Sequence, residues 1–209
     1  MAVVVKRRPP NGLIAMALVI AGLFAVGAGL GALAGAPVLP GLGLAHSDPG
    51  DPGVPPIARS TPLKISIPAI NVSAPVTRVG LAPNGAIGVP PLSNNNLAGW
   101  YSGGPAPGQL GPAVIVGHVD GPNGASVFYR LGQLKPGEKV NLDLANHHVA
   151  LFKIYSVEYY PKGKFPSDRV YGDTSRPGLR LITCGGSFVG GSLGYSDNIV
   201  VYATMTLRG

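Results

Sequence analysis

The chain is poor in the residues from which metal centres and nucleic-acid sites are built. Only one of its 209 residues is cysteine, and only 12% are charged. A single cysteine excludes an intramolecular disulfide and a metal site made of several thiolates. The net charge is +7, but no long basic run or stripe of Arg and Lys interleaved with aromatics is present, so we expect no nucleic-acid partner. No acidic run has calcium-ligand spacing, and we expect no metal.

The N-terminal segment is long, apolar and uncharged. Residues 12–35 read GLIAMALVIAGLFAVGAGLGALAG, and a helix of this length, at about 1.5 Å per residue, crosses a hydrocarbon core of about 30 Å. The basic run KRR precedes it and should stay in the cytoplasm. We therefore predict a cytoplasmic tail over residues 1–11, a single-pass membrane anchor over 12–35, and an extracellular remainder. The alternative is a cleaved signal peptide, for which the small-x-small tripeptide at 32–34 is suitable.

The composition changes twice after the apolar segment. Residues 36–60 are rich in proline and glycine and show no periodicity, which is typical of a tether. From residue 61 onward, short runs rich in Val, Ile, Leu and Tyr are bounded by turn residues, which predicts a mostly β domain over 61–209, either a closed barrel or a sandwich. The predicted strands are 63–67, 72–81, 113–117, 139–144, 149–160, 179–184 and 199–207. Two short helices are predicted, at 94–100 and 126–131.

Cys184 ends one of these predicted strands. It closes the alternating run LRLITC and is followed directly by two glycines, which allow the chain to turn and leave the backbone near the sulfur open. A cysteine at the rim of a strand is placed to react, whereas one in the middle of an apolar face is placed to pack. The residues leave two alternatives for Cys184, a buried structural thiol and a nucleophile.

His118 is the histidine best placed to act with a thiol. It follows the predicted strand 113–117 and precedes a loop, and catalytic side chains are often found where a rigid strand meets a loop. His46 lies in the predicted tether, and His147 and His148 lie in a predicted turn. We interpret these three as solvated side chains without a catalytic role.

Together these motifs resemble the sortases, and among them the actinobacterial class F group. The motifs that carry the resemblance are Val-Gly-His118, Leu-Ile-Thr-Cys184 with its Gly-Gly continuation, Tyr195-x-Asp197-Asn198, and the stretch from Phe-Tyr-Arg-Leu at 128–131 to Pro-Gly at 136–137. The resemblance implies a closed barrel of about eight strands with one or two short helices. It also implies a cysteine transpeptidase that attaches secreted proteins bearing a C-terminal Leu-Pro-x-Thr-Gly-like sorting signal to an amine, such as a cell-wall peptide.

The resemblance also implies roles for individual residues. Cys184, as the thiolate, attacks the Thr-Gly carbonyl and forms a thioester. His118 protonates the departing amine and then deprotonates the incoming one. Because the thioester conserves the bond energy, no cofactor is required. Thr183 belongs to the motif, but strand alternation directs its side chain away from the face that carries Cys184.

The sequence departs from the sortase pattern in one respect. Sortases use an arginine, usually on the strand after the cysteine, and many relatives carry it about where Ser196 stands; residues 194–201 contain none. Asn198 could act as a neutral donor in its place. Arg180, four residues before Cys184, could reach the peptide groove or could instead be a surface arginine.

The missing arginine keeps two other functions open. The first is a catalytically weak sortase-like domain that binds the sorting peptide. The second is a different cysteine acyl-transfer enzyme, such as a wall-crosslinking transpeptidase, although the sequence contains no wall-binding repeat to support it.

Overall fold

The computed structural model describes residues 54–191 and 194–206, and ten strands account for nearly half of them. The strands are β1 Pro62–Ile67, β2 Val72–Val79, β3 Ala98–Tyr101, β4 Gly111–Val116, β5 Asp120–Gly121, β6 Gly124–Ala125, β7 Lys139–Leu144, β8 Val149–Pro161, β9 Pro177–Gly190 and β10 Gly194–Met205. The helical segments are the α-helix α1 Ser167–Tyr171 and the 3₁₀ turns Pro68–Ile70, Leu131–Gln133 and Lys162–Lys164.

Eight of the strands close into a barrel in the order β1-β2-β3-β4-β9-β10-β8-β7, and β5 and β6 form a separate hairpin. The pairs β2–β3 and β4–β9 are parallel, and the other barrel pairs that the structure describes are antiparallel. The prediction of a mostly β, closed barrel of about eight strands with few helices is confirmed.

The predicted helices were placed less well than the predicted strands. The helix predicted at 94–100 is wrong, because residues 98–101 form β3 and pair with both β2 and β4. In the stretch predicted as a helix at 126–131, the chain makes turns that lead into the 3₁₀ turn at 131–133. The α-helix at 167–171 was not anticipated, because five residues are too few to show a 3.6-residue period.

Two clusters of apolar side chains lie on opposite faces of the barrel wall. The inner cluster includes Ile65, Leu142, Leu181, Val201 and Ala203. The alternating residues of β4, β9 and β10 point outward into a second cluster, which consists of Val114, Val116, Ile182, Cys184, Val200 and Tyr202 together with Ile87, Tyr101, Val170 and Tyr171. Because both faces of β4 are covered, all six of its residues are buried. Cys184 therefore lies on the outer face of the wall, in a cluster to which the 80–97 loop and α1 also contribute side chains.

The last residues of the predicted tether, 54–60, pack on the barrel. The Ile57 N–H donates to the Gly108 carbonyl at 2.9 Å. Arg59 donates to the carbonyls of Ser102 and Gly104 at 2.8 and 3.0 Å and lies over the Trp100 ring. The predicted tail, the predicted anchor and the rest of the tether lie outside the described residues. Within 54–191 and 194–206, no helix is long and apolar enough to cross a membrane.

Candidate active site

Parallel pairing of β4 and β9 brings the two sequence-predicted catalytic residues together. Val116 pairs with Ile182, and the ladder continues because the Gly117 N–H donates to the Ile182 carbonyl at 3.1 Å. Continued by two residues beyond the end of β4, this register brings the backbone of His118 near that of Cys184. Neighbouring strands lie about 4.8 Å apart, so the backbones of these two residues come close although they are 66 positions apart in sequence. Cys184 lies within β9, whereas the sequence predicted it at the end of the strand.

A hydrogen bond to Pro90 determines which ring nitrogen of His118 carries a proton. The His118 Nε2 lies 2.7 Å from the Pro90 carbonyl oxygen. A carbonyl can only accept, so Nε2 donates its proton to Pro90. In the neutral imidazole, Nδ1 is then the nitrogen that can gain or lose a proton during a reaction.

Cys184 is largely buried, with 9% of its surface exposed. This burial raises the pKa of the thiol above its ordinary value, because a thiolate is poorly solvated there. Lys162 acts in the opposite direction: its positive charge and its hydrogen bond to the cysteine side chain both lower the pKa. The Asp120 carboxylate raises it further. Cys184 therefore lies between an ammonium that favours the thiolate and surroundings that oppose it.

Asp120 is held at the site by Tyr195. The Tyr195 hydroxyl donates to Oδ2 of Asp120, which connects the loop after β4 to the start of β10. This bond raises the pKa of Tyr195 to about 12. The Phe188 ring packs edge-on against the Tyr195 ring, with their centroids 5.3 Å apart. Tyr195 therefore holds Asp120 by a hydrogen bond and Phe188 of β9 by an aromatic contact.

Thr183 links the strands from the side away from the thiol. It is fully buried, and its hydroxyl donates to the Gly117 carbonyl at 2.9 Å. Gly117 directly precedes His118, so this bond fixes the end of β4 against β9. Its place in the structure fits the predicted orientation of Thr183, on the opposite face from Cys184.

Asn198 is brought directly beside the thiol. It pairs with Cys184 across β9 and β10 and with Tyr160 across β10 and β8. Its side chain is fully buried, and neither its Oδ1 nor its Nδ2 has a hydrogen-bond partner among the described residues. A buried amide without hydrogen-bond partners destabilises the folded state unless a ligand or water forms those hydrogen bonds.

Arg180 is not brought to the thiol. Its guanidinium lies over the Tyr202 ring, 4.6 Å from the centroid, and Nη1 donates to the Leu179 carbonyl at 3.2 Å. Nη1 also lies 3.3 Å from the position that a Cβ on Gly178 would occupy, so the side chain runs back along β9, away from Cys184. It is 2% exposed, so it is not a surface arginine either.

Ser196, about where the resemblance to sortases leads one to expect the arginine, lies at an irregularity in β10. The pairing of β10 with β9 shifts between Tyr195 and Asp197. The Ser196 hydroxyl accepts the Ser187 N–H at 3.1 Å. Strand alternation alone therefore does not give the direction of this side chain.

Sequence reasoning did not identify Lys162, Asp120 or Tyr195 as site residues. Asp120 carried a usable signal, since it lies two residues after His118. Lys162 carried no such signal in the sequence. It lies near the thiol only because β8, β10 and β9 are neighbouring strands in the barrel.

The fold and the site define a closed β-barrel protein in which parallel strand pairing brings the backbone of a histidine near that of a cysteine. A model of the sortase domain matches residues 65–206. The chain belongs to the sortase family, whose members are cysteine transpeptidases.

Solved sortase structures share the fold at low sequence identity. Sortase A from Corynebacterium diphtheriae superimposes with a TM-score of 0.57 at 19% identity, over 73% of this chain and 64% of that one. Sortase C-1 from Actinomyces oris gives 0.55 at 21% identity, over 69% of this chain and 73% of that one. Sortase C from Streptococcus pneumoniae gives 0.55 at 19%, over 69% and 66%. No curated protein sequence matches significantly.

Proposed function

We propose that this protein is a membrane-anchored, extracytoplasmic cysteine transpeptidase that cleaves a Leu-Pro-x-Thr-Gly-like sorting signal and transfers the acyl group to an amine. The observation that carries the proposal is the parallel register of β4 and β9, which supports a reactive pair of His118 and Cys184. The sorted proteins are secreted proteins, and the acceptor is an amine such as that of a cell-wall peptide.

The proposed reaction consists of two acyl transfers. The Cys184 thiol gives its proton to Nδ1 of His118, and the sulfur attacks the Thr-Gly carbonyl carbon. The tetrahedral intermediate collapses, the C–N bond breaks, and the imidazolium gives its proton to the leaving glycine amine. The acceptor amine then attacks the thioester, loses its proton to His118 and releases Cys184 as the thiolate. No cofactor takes part, because the thioester stores the energy of the broken amide.

The cellular setting is part of the proposal. The apolar, uncharged stretch at 12–35 after a basic run supports a single-pass anchor with the barrel outside the cell. The motifs around Cys184 and at 195–198 support membership of the actinobacterial class F group.

A thioester assay tests the proposed activity. The full-length chain in detergent is incubated with a Leu-Pro-x-Thr-Gly peptide and an amine, and the protein and products are analysed by mass spectrometry. We expect an acyl adduct on Cys184 and an amine-linked product, and neither with Cys184→Ala. Transfer by a folded Cys184→Ala variant would contradict the mechanism.

A weakly active peptide-binding domain is the second candidate. It is favoured by the orientation of Arg180, which points away from Cys184, and by the burial that raises the pKa of the Cys184 thiol. In that case the same peptide would bind the wild-type chain and the Cys184→Ala variant equally, and no adduct would form.

A further inference from the structure

Lys162 is two residues after Tyr160, which ends a row of cross-strand pairs that begins with Cys184. Cys184 pairs with Asn198, and Asn198 pairs with Tyr160 on the next strand. Pro161 is the last residue of β8 and still pairs with β10, so Lys162 follows the strand end directly beside this row. Tyr160 packs against the outer cluster that contains Cys184. The fold thus brings a lysine to the strand end beside the row that contains the thiol.

His118 and Lys162 approach Cys184 from opposite sides of β9. The strand order is β4-β9-β10-β8, so His118 comes from the side of β4 and Lys162 from the side of β8. The Lys162 side chain hydrogen bonds to that of Cys184, and its charge lowers the pKa of the thiol against the effect of burial. The other titratable groups near the site include Asp120, after β4, Tyr195, on β10, and Tyr160, on β8.

Two arginines that lie over Tyr202, a residue of the outer cluster that also contains the thiol, are engaged with other groups. Arg180 lies over Tyr202 and donates to Leu179. Arg169 lies over the same Tyr202 ring, 5.5 Å from its centroid, and 3.6 Å from a Glu158 carboxylate oxygen. Lys162 is therefore the cation that the described structure brings to the sulfur.

We infer that Lys162 is a catalytic residue whose ammonium stabilises the Cys184 thiolate, the electrostatic task left without an arginine in this chain. The inference rests on the proposed function and goes further by naming the cation. When the thiol proton passes to His118, the electron pair stays on sulfur, and the Lys162 ammonium keeps its proton and donates a hydrogen bond to that pair. The ammonium thus balances the negative charge on sulfur until sulfur attacks the carbonyl carbon, and it does so again when the thiolate leaves the thioester.

Alkylation of the thiol tests this without any substrate. The chain has one cysteine, so iodoacetamide consumption by the full-length chain in detergent reports Cys184 alone. We expect Lys162→Met to shift the pH profile of alkylation upward and to slow alkylation about tenfold near neutral pH, since one pH unit corresponds to a tenfold change in thiolate. Lys162→Arg should restore the profile. A Lys162→Met profile that coincides with wild type would overturn the inference.

Lys164 provides a matched control, because it lies in the same 3₁₀ turn, is exposed and does not act on the thiol. Lys164→Met should leave the alkylation profile unchanged; an equal shift would overturn the inference, because it would show a general charge effect. Thermal unfolding verifies that each variant is folded.

Transfer kinetics separate this inference from the proposed function. In an active wild type, we expect Lys162→Met to lower kcat about tenfold near neutral pH and to leave KM nearly unchanged. An unchanged kcat, despite shifted alkylation, would overturn the catalytic role of Lys162 while leaving the proposed function in place. A wild type that never forms a thioester, together with shifted alkylation, would overturn the proposed function and leave the stabilisation of the thiolate by Lys162 supported.

Discussion

His118 is held by its neighbours in a way that fits general acid–base work. Nε2 donates a hydrogen bond to the Pro90 carbonyl, which orients the ring. Nδ1 is therefore the nitrogen available for proton transfer. We expect His118→Ala to reduce kcat/KM for transfer by about 10²–10⁴-fold, because the leaving amine then lacks a positioned proton donor. Steady-state transfer kinetics measure this effect.

His148→Ala is the control for this prediction. His148 is exposed in the turn before β8, so its removal should leave kcat/KM unchanged. A loss of less than about tenfold in His118→Ala would indicate that His118 is a structural residue.

At the residue scale, the sequence led to some site residues and not to others for a physical reason. Cys184 and His118 were found because each ends an apolar run in the sequence, although β9 continues past Cys184. Asn198 was found by strand alternation, which holds where β10 pairs regularly with β9. The direction of Arg180 could not be found in this way, since a long side chain can run either way along its strand. Lys162 was missed because its contact with Cys184 depends on which strands neighbour each other.

The pairing of β4 with β9 is the element on which the site depends. The Thr183 hydroxyl donates to the carbonyl of the residue before His118, so it aligns the strand end that carries the imidazole. We expect Thr183→Val to cost about 1–3 kcal/mol in the free energy of unfolding, because a buried carbonyl loses its donor. We also expect it to lower kcat more than it raises KM, since His118 would be displaced. Chemical denaturation and transfer kinetics measure the two effects.

Thr183→Ser keeps the hydroxyl and serves as the matched variant. It should retain most of the activity and lose stability only through its missing methyl group. Equal kcat values for Thr183→Val and wild type would show that this hydrogen bond does not position His118.

The elements differed in how well the sequence predicted them. The strands β1, β7 and β8 alternate or carry long β-favouring runs, and their predicted bounds lie within one residue of those observed. β3 has only four residues, all buried, and gains its strand conformation by pairing with β2 and β4. A run this short has no period of its own, so its tertiary partners determine its structure. β9 extends to Gly190, beyond the predicted end at 184, because β10 pairs with it past the glycines.

At the scale of the whole molecule, the folded domain begins before the first strand of the barrel. The sequence suggested a tether up to residue 60, since proline and glycine dominate this segment. Composition does not reveal that individual side chains in such a segment can dock. Ile57 and Val54 pack against the inner cluster of the barrel, and Arg59 lies 5.2 Å from the centroid of the Trp100 ring.

These contacts predict that the segment 54–60 stabilises the barrel. A chain that starts at Thr61 should melt about 5–10 °C below one that starts at Val54, because it loses the apolar burial of Ile57 and the stacking of Arg59 on Trp100. Differential scanning calorimetry of the two chains measures the difference. The single change Arg59→Ala, in the longer chain, should produce part of the loss, since the guanidinium also donates to Ser102 and Gly104. Equal melting temperatures for the two chains would show that the segment only rests on the barrel, and that the domain is complete from its first strand.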